Sequence, residues 1–427
     1  MSTAAASTLP HIVVLGAGFA GMAFCRSLPS GRARITVVDR QNHHLFQPLL
    51  YQVATAGIAA PDIAQPIRGI LRDKPDLVVV MAEVTGIDLA ARRVTHERGE
   101  LSYDYLVFAV GGGTSYFGHP EWENHAPGLK TLDDALRIRR RVLCAYEQAE
   151  TELDAERKAE LMTTVVVGGG PTGVELAGAF AELSRTVLKK DFDHIDPTTA
   201  RIVLIESGER VLKAFPPELS ALATDQLIRL GVEVRTGVRV QDIRAGEVVL
   251  PDGTIKAGAI IWAAGVTASP LARTLGLETD RSGRLPVGPD LSLPGHPEVF
   301  AVGDVAAVTD RNGVAVPGVA QGALQMGQHV ARIIAAECSG RGSREPVARP
   351  AFAYRDKGSM ATIGRSAAVA RIGALQFSGW PAWMAWLVIH LLFLVGFRSK
   401  ISVLLSWVYS YFTYKRGARI ITGGPGG

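Results

Sequence analysis

Short apolar runs that break into glycine and then into helix-forming sequence set the pattern of this chain. His11 to Gly21 (HIVVLGAGFAG) and Thr163 to Gly178 (TTVVVGGGPTGVELAG) each read as strand, tight turn and helix. Both carry glycines at GxGxxG spacing, first Gly16, Gly18 and Gly21, then Gly168, Gly170 and Gly173. The first glycine of such a set permits the turn, the second lets a pyrophosphate approach the backbone, and the third lets helix pack on strand. One such motif is weak evidence. Two copies, each followed by a β-run ending in an acid, predict an α/β chain with two Rossmann-like dinucleotide-binding domains.

The two acids close Arg34 to Asp39 (RITVVD) and Arg201 to Glu206 (RIVLIE). From the end of a second strand a carboxylate can accept from ribose hydroxyls. Glu206 would also repel a 2′-phosphate, which favours NADH over NADPH. Glu206 lies 38 residues after Gly168, so residues 189–199 are expected as an inserted loop. Leu77 to Val84 and Tyr103 to Val110 read as further strands, the second running into Gly111, Gly112 and Gly113. Residues 132–161 have helical period and alternating charge, expected as a solvated face. The AIIWAAG run ends at Gly265, and Val299 to Val305 (VFAVGDV) returns as a strand carrying Gly303 and Asp304.

Three stretches do not fit a plain alternation. His43 to Ala56 is too apolar for a surface loop, and its adjacent histidines, His43 and His44, lack the partner set of a metal site. In the helix-like Ala320 to Gly327 (AQGALQMG), Gln321 and Gln325 share a face and suit a ligand with carbonyl groups. Phe352 to Ile363 reads as a hairpin presenting Lys357. After it, Trp380 to Phe397 is eighteen residues without a charge, roughly 27 Å as a helix against a hydrocarbon core of about 30 Å. The next apolar run, Ile401 to Phe412, is shorter. Either one helix crosses a membrane or both lie in its interface; a buried core helix pair is the bland alternative, with His390 a packing residue.

Charge sharpens that last point. The net charge is +4, yet the 71 residues after Asp356 hold eight Lys or Arg and no acid, leaving the rest at −4. Four of the six tryptophans lie there too: Trp380, Trp383, Trp386 and Trp407. A basic, aromatic, apolar tail points to a lipid surface and not to nucleic acid. Cys25, Cys144 and Cys338 are far apart and form no dithiol motif, so neither a disulfide framework nor a dithiol redox centre is expected. Residues 1–10 have neither basic nor apolar signal region, which predicts a loose N-terminus and no secretory signal.

Taken together, HLFQPLLYQVAT, SYFGH, PGLKTLDDAL, AQGALQMG, YRDKGSMATIGR and the closing SWVYSYFTYKRGARIITG, with the two fingerprints, resemble the type II NADH dehydrogenases of the two-dinucleotide flavoprotein superfamily. The resemblance implies a membrane-associated flavoenzyme that transfers a hydride from NADH to non-covalent FAD and two electrons on to a quinone, without proton pumping. It implies FAD contacts from Gly16, Gly18, Phe19, Ala20, Gly21, Asp39, Arg40, Val84, Asp304, Ala320, Gln321 and Lys357. It assigns NADH to Gly168, Gly170, Gly173, Glu206 and Gly265, and the quinone to Gln321, Gln325 and Lys357. Glu175 matches a carboxylate proposed to handle protons; on local sequence alone it reads as a first-turn acid complementing the helix dipole. The implied division is residues 1–118 and 267–375 for FAD, 119–266 for NADH, and 376–427 as a monotopic anchor on the cytoplasmic face of the inner membrane. A homodimer is implied as well. Sulfide:quinone oxidoreductase chemistry is the alternative within the superfamily, but no cysteine here stands in a motif near the flavin. A non-catalytic FAD- and NADH-binding sensor is the alternative outside it.

Overall fold

The computed structural model describes residues 9–339, 348–413 and 417–421. The N-terminal eight residues and Lys415 and Arg416 of the basic tail lie outside them. The chain divides into two compact units. Residues 1–44, 65–113 and 266–356 form one, and residues 45–64, 114–265 and 357–427 form the other.

The first unit is built on a six-stranded sheet in the order Ser292–Leu293, His296–Ala301, Tyr105–Phe108, His11–Leu15, Arg34–Asp39, Leu77–Met81. All neighbours are parallel except the first pair. Ile12, Val13, Val14 and Leu15 are buried without alternation, as strands covered on both faces must be. The helices Phe19–Ser27 and Ala320–Ser339 pack closely, because Gly327 presents no side chain to the backbone of Ala20. That close approach sets the second helix against the first fingerprint.

The second unit repeats the logic with four parallel strands in the order Val232–Arg235, Arg201–Ile205, Thr163–Val167, Ala259–Trp262. The strand Thr163–Val167 delivers Gly168 to Gly170, and the helix Pro171–Glu182 starts there. An antiparallel three-stranded sheet, Ser359–Gly364, Ala367–Ile372 and Leu375–Ser378, packs on that helix. Gly178 makes the packing possible, since any Cβ would collide with the carbonyl of Ile363. Helices Trp380–Phe393 and Phe397–Thr413 complete the unit.

Several expectations are corrected. The hairpin lies later than Phe352 to Ile363: its strands are Ser359–Gly364 and Ala367–Ile372, turning at Ser366 with φ 59°, and Lys357 precedes the first strand. The polar YRDKG stretch has no alternation to pair. The helical span 132–161 is two helices, Leu132–Thr151 and Ala155–Leu161, because Asp154 caps the second by accepting from Arg157 N–H. Its charges are not all solvated, for Arg139 is buried. The apolar run Trp380 to Phe397 is not one helix. Leu394 leaves the helical region and Gly396 takes φ 85°, leaving fourteen residues, roughly 21 Å. Among the described residues no helix is long and apolar enough to cross a membrane.

Candidate functional site

Each fingerprint has the same construction. Gly16 and Gly168 stand at φ 93° and 111°, where a Cβ would strike the backbone of Ala109 and Ala263 respectively. Gly21 and Gly173 lie so close to the carbonyls of Gly16 and Gly168 that only glycine fits. By contrast, a Cβ at Gly18 or Gly170 would meet nothing within 4 Å. These middle glycines cap their helices without any side-chain hydrogen bond, so the first-turn N–H groups face the open side. Two crowded positions around one open cradle fit a pyrophosphate in each unit.

The acids do more than sequence spacing suggested. Asp39 accepts from Ala17 N–H at 2.6 Å and Gln41 N–H at 2.8 Å. Glu206 accepts from Gly169 N–H at 2.6 Å and Gly208 N–H at 2.6 Å. Each carboxylate therefore organises its own glycine loop, and both Asp39 oxygens and Glu206 Oε2 retain a lone pair for a ribose hydroxyl. Gly265 at φ 77° lies against Ser115 O and the ring of Phe117, itself at φ 52° and two-thirds exposed.

In the first unit, Gly303 and Asp304 line a cavity of about 300 Å³ together with Arg284, Gly318 and Met326. Phe19, Val84, Ala320 and Gln321 are half-buried, and Arg40 is exposed. The amide of Gln325 is engaged at both ends: its Oε1 accepts from Arg355 N–H at 3.0 Å, and its Nε2 donates to Arg355 O at 3.0 Å and Gln321 O at 3.1 Å. Gln321 Nε2 approaches Asp356 Oδ1 at 3.5 Å. His44 is a packed core residue, bonded to Ala17 O at 2.8 Å and edge-on to Phe19. In the second unit Lys357 is exposed, its Nζ 5.4 Å from the ring of Phe393.

A cavity of about 430 Å³ opens within the second unit, walled by Trp380, Trp383, Trp386, Leu387, Trp407 and Tyr411, with Glu175 among its lining. Glu175 lies in the second turn of Pro171–Glu182, not the first, so its charge does not serve the helix dipole. Burial pushes its carboxyl up to about 8, against the opposing pull of Thr362 N–H and the Trp386 indole. The residue is half-buried and lines the cavity. Trp386 Nε1 lies beside it without reaching full hydrogen-bond geometry with any acceptor. Trp386 is itself held by the ring of His390, stacked at 4.0 Å, and by Tyr51 and Trp407. Desolvation lowers His390 to about 4, and its Nδ1 donates to Trp386 O at 2.7 Å, which makes it a packing residue. Trp407 Nε1 donates to Gln52 Oε1 at 2.8 Å, tying the HLFQPLLYQVAT segment into the same wall.

Sequence reasoning missed most of that wall. Thr362, Trp386, Gln52 and Glu182 are brought to one cavity from four separate stretches. Of these, Trp386 stood out only as part of the tryptophan-rich tail read as facing lipid, and Glu182 only as the carboxylate seven residues after Glu175. All three cysteines are free, and burial raises the Cys25 thiol to about 12. Among the described residues no group of three or more His, Cys, Asp or Glu is gathered as for a metal.

Residues 10–327 match the pyridine nucleotide-disulphide oxidoreductase family. The chain is 45% identical to the type II NADH:quinone oxidoreductase Ndh of Mycobacterium tuberculosis, over 96% of this chain and 90% of that one. It is 41% identical to NdhA of the same organism, over 96% and 89%. The structure of NDH2 from Plasmodium falciparum in complex with NADH superposes with a TM-score of 0.86 over 97% of this chain and all of the other, at 20% identity.

Proposed function

We infer the work of individual residues from one premise: this chain belongs to the type II NADH:quinone oxidoreductases, FAD flavoproteins that pass electrons from NADH to quinone without pumping protons. FAD, when bound, supplies the two-electron exchange between nicotinamide and quinone. The protein's own residues bind, orient and handle protons. We assign the FAD pyrophosphate to Gly16, Gly18, Phe19, Ala20 and Gly21, its adenosine ribose to Asp39 with Arg40 and Val84 nearby, and its ribityl chain to Asp304. Ala320, Gln321 and Lys357 are assigned to the flavin ring on the family motifs. NADH takes the second fingerprint, Gly168, Gly170 and Gly173, with Glu206 on its ribose and Gly265 beyond the neighbouring parallel strand Ala259–Trp262. On the family pattern we propose that residues 1–118 and 267–375 serve FAD, 119–266 NADH and 376–427 the membrane, with each range also lending residues to the aromatic cavity.

The single observation that carries the acceptor half is the carboxyl of Glu175 at the wall of an aromatic cavity, held near 8 by burial. A carboxyl poised near neutral pH is suited to donate a proton to a quinone oxygen and recover it. We propose that Glu175 does so. Quinone recognition by Gln321, Gln325 and Lys357 rests on the family motifs; the engagement of Gln325 with Arg355 gives it the task of fixing that loop. Glu175→Gln tests the proton assignment: FAD content stays, and quinone-linked turnover falls by on the order of 10²-fold or more. Parental turnover at every pH would remove Glu175 from the mechanism.

The membrane contact is proposed from exposed apolar side chains on the last two helices, among them Phe397, Leu405 and Phe412 at 81, 61 and 75% exposure. With no crossing helix among the described residues, the anchoring we propose is interfacial, on the cytoplasmic face of the inner membrane. A homodimer is proposed on the family pattern, and mass measurement in solution tests it.

A further inference from the structure

The aromatic cavity that Glu175 lines holds a second carboxylate. Glu175 and Glu182 both line it, and both lie on the helix Pro171–Glu182 seven residues apart, hence on one face. Between them on that face is Ala179, also a lining residue, whose single methyl leaves the space continuous. The strand Ser359–Gly364 runs past this face and supplies a backbone donor to each acid. Thr362 N–H acts on Glu175, and Arg365 N–H, just beyond the strand, donates to Glu182. The spacings match: seven helical residues rise roughly 10.5 Å, and three extended residues span about 10 Å. Both residues are half-buried.

Resting on the assignment of Glu175 as proton donor, we propose that Glu182 reloads Glu175 with a proton drawn from solvent through the shared cavity. The overall exchange is NADH + H⁺ + quinone → NAD⁺ + quinol. The hydride brings two electrons and one proton, so one further proton must enter from water. Glu175 gives that proton to the quinone oxygen and becomes a carboxylate. Glu182 then takes up a proton from bulk water and passes it to the Glu175 carboxylate through the cavity that both line. A volume of about 430 Å³ accommodates a chain of waters, each needing about 30 Å³. The other titratable or charged groups lining the cavity are Tyr51, Arg365 and Tyr411. Arg365 directs its guanidinium to the carbonyls of Ser410 and Tyr411, each at 2.9 Å, and over the Tyr411 ring at 5.2 Å. Tyr51 accepts from Gln52 Nε2 at 3.0 Å.

The test compares Glu182→Gln, Glu182→Ala and Glu175→Gln as full-length, FAD-loaded proteins. The readout is the ratio of NADH oxidation with a short-chain quinone, which takes up protons, to that with ferricyanide, which takes up none. Both Glu182 variants are expected to lower the ratio on the order of tenfold or more. Added formate, small enough for the space left by Glu182→Ala, should restore most of it. A loss confined to Glu182→Ala and indifferent to formate would mean a packing role and overturn the relay. Parental ratios in both Glu182 variants, with Glu175→Gln slow, would also overturn it while sparing Glu175. A parental ratio in Glu175→Gln would instead remove the premise.

Discussion

At the scale of single residues, Glu175 carries the proton chemistry we propose, and its raised pKa has a consequence for stability that needs no substrate. An ordinary glutamate titrates near 4.5, and burial raises this one to about 8. The folded chain therefore keeps a proton that the unfolded chain releases between those values. Stability from this group is whole below about pH 4.5 and falls as pH rises toward 8. Glu175→Gln removes the loss. Thermal melting of parent and variant should coincide in acid and separate with rising pH, the variant being the more stable by at most a few kcal/mol near pH 8. Parallel curves throughout would show that the carboxyl is not held neutral. Glu175 was legible in the sequence only as a position, because its spacing from Gly170 is local while residues that share its cavity, Thr362 and Trp386 among them, lie about two hundred residues away in the chain.

At the scale of elements, the two strand–turn–helix units were fully legible. Their signals are local: a β-branched run, glycines at fixed offsets, and an acid at the end of the next strand. The structure adds why the glycines differ, and this makes them separable by mutation. Gly170→Ala should fold normally, since its methyl meets nothing within 4 Å, yet raise the KM for NADH by occupying the phosphate cradle. Gly173→Ala should cost folding itself, since its methyl meets the Gly168 carbonyl. Melting temperature beside NADH KM distinguishes the two; equal effects on both quantities would contradict the cradle. The same contrast at Gly18 and Gly21 should appear as FAD content at intact fold against loss of fold. The hairpin and the tail helices were less legible. The turn at Ser366 depends on a strained left-handed backbone in a residue that does not advertise it, and the apolar run from Trp380 gives no hint that Leu394 to Gly396 breaks it.

At the scale of the whole molecule, the tail has two faces. Trp386, Ala382 and Val403 are buried, and they or their neighbours build the cavity wall, so removing residues 376–427 would open the cavity as well as strip the surface. Changing Phe397, Leu405 and Phe412 together to Ser is the cleaner test of anchoring. That variant should remain folded and FAD-loaded while its cosedimentation with lipid vesicles falls; undiminished pelleting would place the membrane contact elsewhere. The account turns finally on whether bound NADH is spent on quinone through Glu175. The most direct measurement follows NADH absorbance in FAD-loaded protein given a short-chain quinone, for parent and Glu175→Gln across pH. The account predicts rapid quinone-dependent NADH loss in the parent and a slowed, pH-altered loss in the variant. No quinone-dependent loss from the parent, or identical rates at every pH, would contradict it.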